Sequence, residues 1–346
     1  MAKKNSRKTP VAIPTHDEQG RKILMHVKDM KQWFPVKKWF FEKKAWVRAV
    51  DGISFDLYEG ETLGIAGESG CGKSTLIRSA LRIIEPTSGT IGYDGVDITR
   101  ANAKQMREIR KNMQIVFQDP YSSLDSKWKV GRIIAEPMVI GKVGTKAERA
   151  ARVAELLEQV GLNPTYVDRH PHEFSGGQRQ RIVIARALAT NPKLLMCDEA
   201  VSALDVSVRA QILNLLEELQ EKLALTYVFV SHDLSVIEHI CDRVAIMYLG
   251  KIVEIGTKDD IFNNPQHPYT KALLSAIPTI GDAPIRERIR LEGDVPSPVN
   301  PPSGCRFHTR CPYATEKCKT DVPEAIDLGG GHQVACHLCA KVPAEA

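Results

Sequence analysis

Apolar residues in this chain fall into short runs separated by charged stretches. Residues 61–66, 193–199 and 226–230 are such runs. Their length and near-continuous apolarity predict strands buried on both faces, as in a parallel sheet. Residues 113–120 add another buried strand, ending in a Gln before a Pro. Residues 23–58 read as strand, loop, strand around an aromatic, Lys-rich stretch. Residues 89–95 read as a short hairpin with turn glycines, and 244–256 as a longer one turning at Gly250 and Lys251. Helical spacing covers 75–81, 106–111, 146–160, 182–188, 208–223 and 270–276. Between 120 and 187 charges and helical periodicity dominate, which predicts a mainly helical insert. The class expected is α/β with a mostly parallel sheet.

The strand at 61–66 and the helix at 75–81 enclose Gly67, Glu68, Ser69, Gly70, Cys71, Gly72, Lys73, Ser74 and Thr75, which fit G-x-x-x-x-G-K-[ST]. Glycines let backbone N–H groups turn onto phosphate oxygens, and the helix N-terminus adds partial positive charge. Lys73 is expected to reach the β- and γ-phosphates of a nucleotide, and Ser74 to bind Mg²⁺ through its hydroxyl.

Other stretches supply matching chemistry. The strand at 193–199 ends in Asp198 and Glu199. Carboxylates at a buried strand end need partners, and Mg²⁺ beside Ser74 is one. Asp198 is expected to hold the metal, directly or through water, and Glu199 to orient or deprotonate the attacking water. His232 follows the strand at 226–230, at the sheet edge where open α/β folds bind ligands. Gln118 ends its strand at the same edge. Ser175, Gly176 and Gly177 open a helix, with Ser175 as N-cap; they are either a second anion-binding device or a plain cap. Among the rings at 33–46, Trp46 is the candidate to stack on a base; the remainder are expected to pack an edge hairpin.

Hydrophobic residues make up 43% and charged residues 26% of 346, the profile of an ordinary globular protein of one large and one smaller domain. No apolar run approaches the roughly 18 residues of a membrane span, and the polar, basic start is unlike a secretory signal. Net charge is +5, too mild to argue for nucleic acid. Yet residues 1–48 hold 13 Lys or Arg against 4 Asp or Glu. Residues 1–22 are therefore expected to be a disordered basic leader, either simply solvated or drawn to an anionic membrane or acidic partner. Of 8 Cys, Cys71, Cys197 and Cys241 read as reduced body thiols, whereas Cys305, Cys311, Cys318, Cys336 and Cys339 crowd the tail. Without an export signal, a metal framework is favoured over disulfides.

Taken together, the pieces resemble the nucleotide-binding subunit of an ABC transporter. Residues 67–75 match the phosphate loop, Gln118 the Q-loop, 174–178 (through Gln178) the LSGGQ signature, 197–199 the end of the metal-binding strand, 202–205 the D-loop and His232 the switch histidine, all in order across about 23–262. Phe174 stands for the usual Leu, and Ala200 follows Glu199 where Pro is common. The resemblance implies a P-loop NTPase core of ABC type, with a mostly parallel sheet, an antiparallel β edge, a helical subdomain at about 120–187 and a small Cys-rich C-terminal domain. It also adds Gln118 to Ser74 and Asp198 as a Mg²⁺ ligand, and gives His232 and Lys73 catalytic roles beside Glu199.

The tail, 263–346, narrows the likeness. Residues 264–270 and 296–305 look like the ATPases of oligopeptide and dipeptide importers, the second stretch like the F-type subunit. The resemblance implies an ATP hydrolase powering peptide import, lying peripherally on the cytoplasmic face of the membrane. Its partners would be a second ATPase, two permease subunits and an extracytoplasmic peptide-binding protein. It would give Ser175, Gly176, Gly177 and Gln178 to the ATP of the partner subunit. Cys305, Cys311, Cys318 and Cys336 are similar to the family's [4Fe–4S] ligand set, although Zn²⁺ also accepts four thiolates. Cargo such as nickel, and a non-transport ABC ATPase, remain alternatives; only about 100 residues separate loop and signature, too few for the long coiled coil of the chromosome-associated relatives.

Overall fold

The computed structural model describes residues 12–36, 45–277 and 288–339. Two sheets carry the fold. The smaller, antiparallel one has the order β2-β1-β4-β5, from β1 (Ile23–Val36), β2 (Ala45–Tyr58), β4 (Ser88–Tyr93) and β5 (Val96–Asp97). The larger has eight strands in the order β11-β12-β10-β9-β3-β8-β7-β6. Its parallel part is β9 (Arg243–Tyr248), β3 (Thr62–Ala66), β8 (Thr226–Val230), β7 (Leu194–Asp198) and β6 (Met113–Val116). Strands β3, β7 and β8 are buried at every residue, which is why their sequences are continuous apolar runs rather than alternating ones. At one edge β10 (Lys251–Thr257) returns antiparallel from β9 through Leu249 and Gly250, both at positive φ.

Helices pack on and beside this sheet. α1 (Lys73–Ala80) and α2 (Ala103–Ile109) precede β6, and the insert follows as α3 (Pro120–Ser123), α4 (Val130–Ile140), α5 (Lys146–Gln159) and α6 (Gly176–Leu188). α7 (Val206–Leu223), α8 (Leu234–Ile240), α9 (Lys258–Asn263) and α10 (Pro268–Ser275) complete the body, and α11 (Glu316–Thr320) lies in the tail. Thr145, Ser175 and Thr257 each close a capping box at a helix start, so side chains fix these boundaries locally.

Two expectations change. Residues 12–22, expected in the disordered leader, hold a turn: Asp17 accepts from the N–H groups of Gln19 and Arg21, and Ile13 packs at Gly92. Residues 1–11 lie outside the described residues. The small Cys-rich C-terminal part does not stand apart from the body. Its strands β11 (Ile326–Asp327) and β12 (Gln333–Val334) extend the large sheet beyond β10, and Phe307 is buried in the main core. A short tail with few apolar residues buries them by joining an existing core instead of building one.

Candidate active site at the strand ends

The parallel strands β3, β8, β7 and β6 all end on one edge, and the polar groups singled out in the sequence follow those ends. The loop after β3 is pressed against neighbouring backbone. At Gly67 (φ +150°) a Cβ would lie 2.1 Å from the Met247 carbonyl oxygen, and at Gly72 (φ +108°) 2.0 Å from that of Ala49. Neither position admits a side chain. Lys73 starts α1 and is buried; its ammonium donates to the carbonyls of Gly67 at 2.7 Å and Glu68 at 3.1 Å.

Ser74 Oγ donates to Asp198 Oδ1 at 2.6 Å, and Arg78 Nη2 to Asp198 Oδ2 at 3.1 Å. Asp198 is buried, so these two partners balance a carboxylate removed from water. Next to it, Glu199 Oε2 accepts from Gln118 Nε2 at 2.8 Å and lies 3.3 Å from His232 Nδ1. Glu199 has φ 51°, a left-handed conformation unusual for a glutamate, held by its N–H on the Val230 carbonyl and by Ser202 Oγ donating to its own carbonyl. Thus Ser74, Gln118, Asp198, Glu199 and His232, from four separate stretches, form two adjoining groups, Ser74 on Asp198 and Gln118 with His232 on Glu199. Hard oxygens of Ser74 and Asp198 side by side suit Mg²⁺.

Ser175, Gly176, Gly177 and Gln178 sit elsewhere. Ser175 is exposed and its bonds are local: its Oγ accepts from the Gln178 N–H, and its own N–H donates to Gln178 Oε1, which closes the capping box. A Cβ on Gly176 or Gly177 would meet Leu204 or Val208, so this corner abuts the segment that Asp205 caps. Trp46 is 39% exposed on β2, three residues before the Ala49 carbonyl that touches Gly72. Trp33 instead donates from its indole to Asp51 at 3.0 Å, as expected of a packing ring; Trp39, Phe40 and Phe41 lie outside the described residues.

Cys71, Cys197 and Cys241 are buried free thiols, and burial pushes Cys197 up to about 12. In the tail, Cys305 donates its N–H to the Cys318 carbonyl at 2.9 Å. Burial raises the Cys305 thiol to about 11, a backbone hydrogen bond at Phe307 opposes this, and the charges of Cys318, Cys336 and Cys311 add to it. Cys336 shares a hydrogen bond with Cys339, which holds it at about 6. Among the described residues, however, no three His, Cys, Asp or Glu side chains converge as ligands of one metal ion. Cys305, Cys311, Cys318 and Cys336 therefore do not form a ligand set among the described residues.

Two features escaped the sequence reading. Arg78 lies one helical turn after Ser74, a spacing that puts both on one face of α1, and that face meets Asp198. A groove of about 510 Å³ between the sheet edge and the insert is lined by Arg107, Arg110, Phe117, Glu136, Ile140 and Arg186.

Comparison with known proteins follows these lines. A profile of the ABC transporter family matches residues 50–202, and one of the oligopeptide/dipeptide transporter C-terminal region matches 253–318. The oligopeptide transport ATP-binding protein AppF of Bacillus subtilis is 52% identical over 92% of this chain and 98% of its own length. The dipeptide transport ATP-binding protein DppF of Haemophilus influenzae is 50% identical over 93% and 98%. Among solved structures, the dimeric bacterial ABC transporter cassette MJ0796 aligns with TM-score 0.60 and 27% identity over 68% of this chain and 98% of its own. CbiO1 of Clostridium perfringens, part of a cbiONQ complex, aligns with TM-score 0.60 and 29% identity over 70% and 91%.

Proposed function

The chain belongs to the ABC transporter family, as an ATP-binding and ATP-hydrolysing subunit of a peptide importer, and we propose that it closes on ATP with a second ATPase. The observation that carries this reading is the convergence of Gln118 and His232 on Glu199 while Ser74 meets Asp198. In it, Gly67, Glu68, Ser69, Gly70, Cys71, Gly72 and Thr75 cradle phosphates, Lys73 holds the β- and γ-phosphates, and Trp46 stacks on the adenine. Ser74, Gln118 and Asp198 would hold Mg²⁺, which neutralises charge on the β- and γ-oxygens when bound. Glu199 orients the attacking water. His232, within reach of both Glu199 and solvent, steadies that carboxylate and the terminal phosphate. The cassette spans about 23–262 in this reading, with 120–187 as the helical insert.

The Ser175–Gly177 corner opens a helix N-terminus at the surface, and among the described residues the Ser175 hydroxyl bonds only locally. A head-to-tail pair supplies an anion for it: the corner of each subunit faces the ATP held by the other. ATP then draws the two subunits together, and hydrolysis weakens the grip. Two permease subunits would seat their cytoplasmic loops in the groove beside Gln118, so that closing and opening reach the membrane. Among the described residues no helix is long and apolar enough to cross a membrane itself, which suits a peripheral subunit on the cytoplasmic face, fed by an extracytoplasmic peptide-binding protein. The second ATPase is read as a paralogue, making a heterodimer.

For the tail, a [4Fe–4S] cluster on Cys305, Cys311, Cys318 and Cys336 remains the reading of those thiols on the family likeness alone, since the described residues show no ligand set. No step of ATP hydrolysis is routed through it. Anaerobic purification followed by iron and zinc analysis tests it: iron with visible absorbance supports the cluster, zinc in a colourless protein overturns it. The functional reading as a whole is tested by copurification from detergent-solubilised membranes. A second ATPase with two membrane subunits, and ATPase activity lost in Lys73→Ala, is expected; recovery with DNA or ribosomes would contradict it.

A further inference from the structure

The nucleotide loop does not stand alone: one turn of the C-terminal tail grips it from behind. Arg310 makes a two-pronged ion pair with Glu68, the second residue of the loop, at 2.9 and 3.2 Å. The arginine side chain is 8% exposed, so the pair is largely shielded from water. Glu68 is held twice more, its N–H donating to the Tyr269 hydroxyl at 3.0 Å and its carbonyl accepting from Lys73 Nζ. A force on Arg310 therefore passes through one residue to the ammonium that meets phosphate.

Four residues earlier, Arg306 pairs with Asp51 of β2, both side chains about nine-tenths buried. Asp51 also accepts from the Trp33 indole, and its N–H donates to the Gly250 carbonyl. Two residues back along β2 is Ala49, whose carbonyl touches Gly72 at the other end of the loop. Nearby, the Arg48 N–H donates to the Pro298 carbonyl of the same tail. Between the two arginines Phe307 is fully buried, with ring centroids 5.3 Å from both Tyr248 and Tyr269. It fixes the spacing.

We propose that Arg306, Phe307 and Arg310 form a clasp through which the C-terminal region sets the geometry of the ATP site, with Arg310 and Arg306 as positioning residues acting through Glu68 and Asp51. This rests on the reading that residues 67–75 bind ATP. The planar guanidinium fork makes the register specific, since a lysine keeps the charge but offers no two-pronged match to the carboxylate.

The test measures ATP hydrolysis by the assembled transporter for Arg310→Ala, Arg310→Lys, Arg306→Lys and Glu68→Gln, with Lys73→Ala as reference. Expected for the arginine variants is a rise in KM for ATP of roughly 3–10-fold with kcat within about twofold, because binding geometry is altered and not the reacting groups; Glu68→Gln, in the loop itself, should raise KM at least as much. Glu68→Gln combined with Arg310→Ala should be no worse than Glu68→Gln alone, because both remove the same contact. Should Arg310→Ala fail to assemble, Arg310→Lys and Glu68→Gln carry the same readout with little change in volume. An unaltered KM alongside a lower unfolding temperature would reduce the clasp to a merely structural strut and overturn the proposal. Unimpaired ATP binding in Lys73→Ala would instead refute the nucleotide reading beneath it, so the two failures are distinct.

Discussion

Glu199 stands at the end of β7 in a left-handed conformation, with Gln118 and His232 both aimed at one of its oxygens. Glu199→Gln keeps that shape and removes the charge proposed to direct water. We expect nucleotide binding within about twofold of wild type and turnover lowered at least roughly 10²-fold; steady-state hydrolysis beside equilibrium binding of a labelled nucleotide checks it. His267 gives a pH prediction. It is buried, its Nδ1 accepts from the Tyr269 N–H, and burial lowers it from 6.5 to about 3. The unfolded chain then binds more protons between those values, so stability is full above 6.5 and falls as pH drops toward about 3. The contribution lost by about pH 5 is on the order of 2 kcal/mol. Urea unfolding of wild type against His267→Asn across that range should show the variant with the shallower dependence. At this scale most of the site was legible: Lys73, Ser74, Asp198 and Glu199 lie where a strand meets polar residues, a local signal. The pairing of Arg78 with Asp198 and the φ of Glu199 were not, because each depends on contacts between stretches more than 100 residues apart or on backbone geometry that residue type does not encode.

Elements divide in the same way. β8 and β7 were readable because burial on both faces demands unbroken apolar sequence, and α6 because Ser175 announces its start. The aromatic loop read between 23 and 58 shrinks, since β1 and β2 each run 14 residues and take up Trp33, Phe34 and Trp46. Their pairing is interrupted by register shifts, and each shift breaks the alternation on which strand recognition depends. β11 and β12 have two residues each, too few for any period. Ser175→Ala removes one cap bond and should cost α6 about 1 kcal/mol, a small shift in the urea midpoint, while weakening ATP-driven pairing more. Phe307→Ala leaves a hole among Tyr248, Tyr269 and His267 and should cost about 3–5 kcal/mol. The measurement is again the unfolding midpoint; a change within error would show that the tail packs independently of the body.

For the molecule as a whole, the tail shares the large sheet through β12 and the main core through Phe307, close to the phosphate loop. Composition could not reveal this, because it follows from where β12 and Phe307 find partners and not from what the tail contains. The proposed second subunit would bring its ATP to the Ser175–Gly177 corner, whose side-chain bonds among the described residues are local. The most direct measurement is a structure of the assembled transporter carrying Glu199→Gln and trapped with ATP. The expected result is the Ser175 hydroxyl and the Gly177 N–H of one ATPase about 3 Å from the γ-phosphoryl oxygens of an ATP whose β- and γ-phosphates lie on Lys73 of the other. An ATP contacted by one subunit alone, with both serine corners turned to solvent, would contradict it.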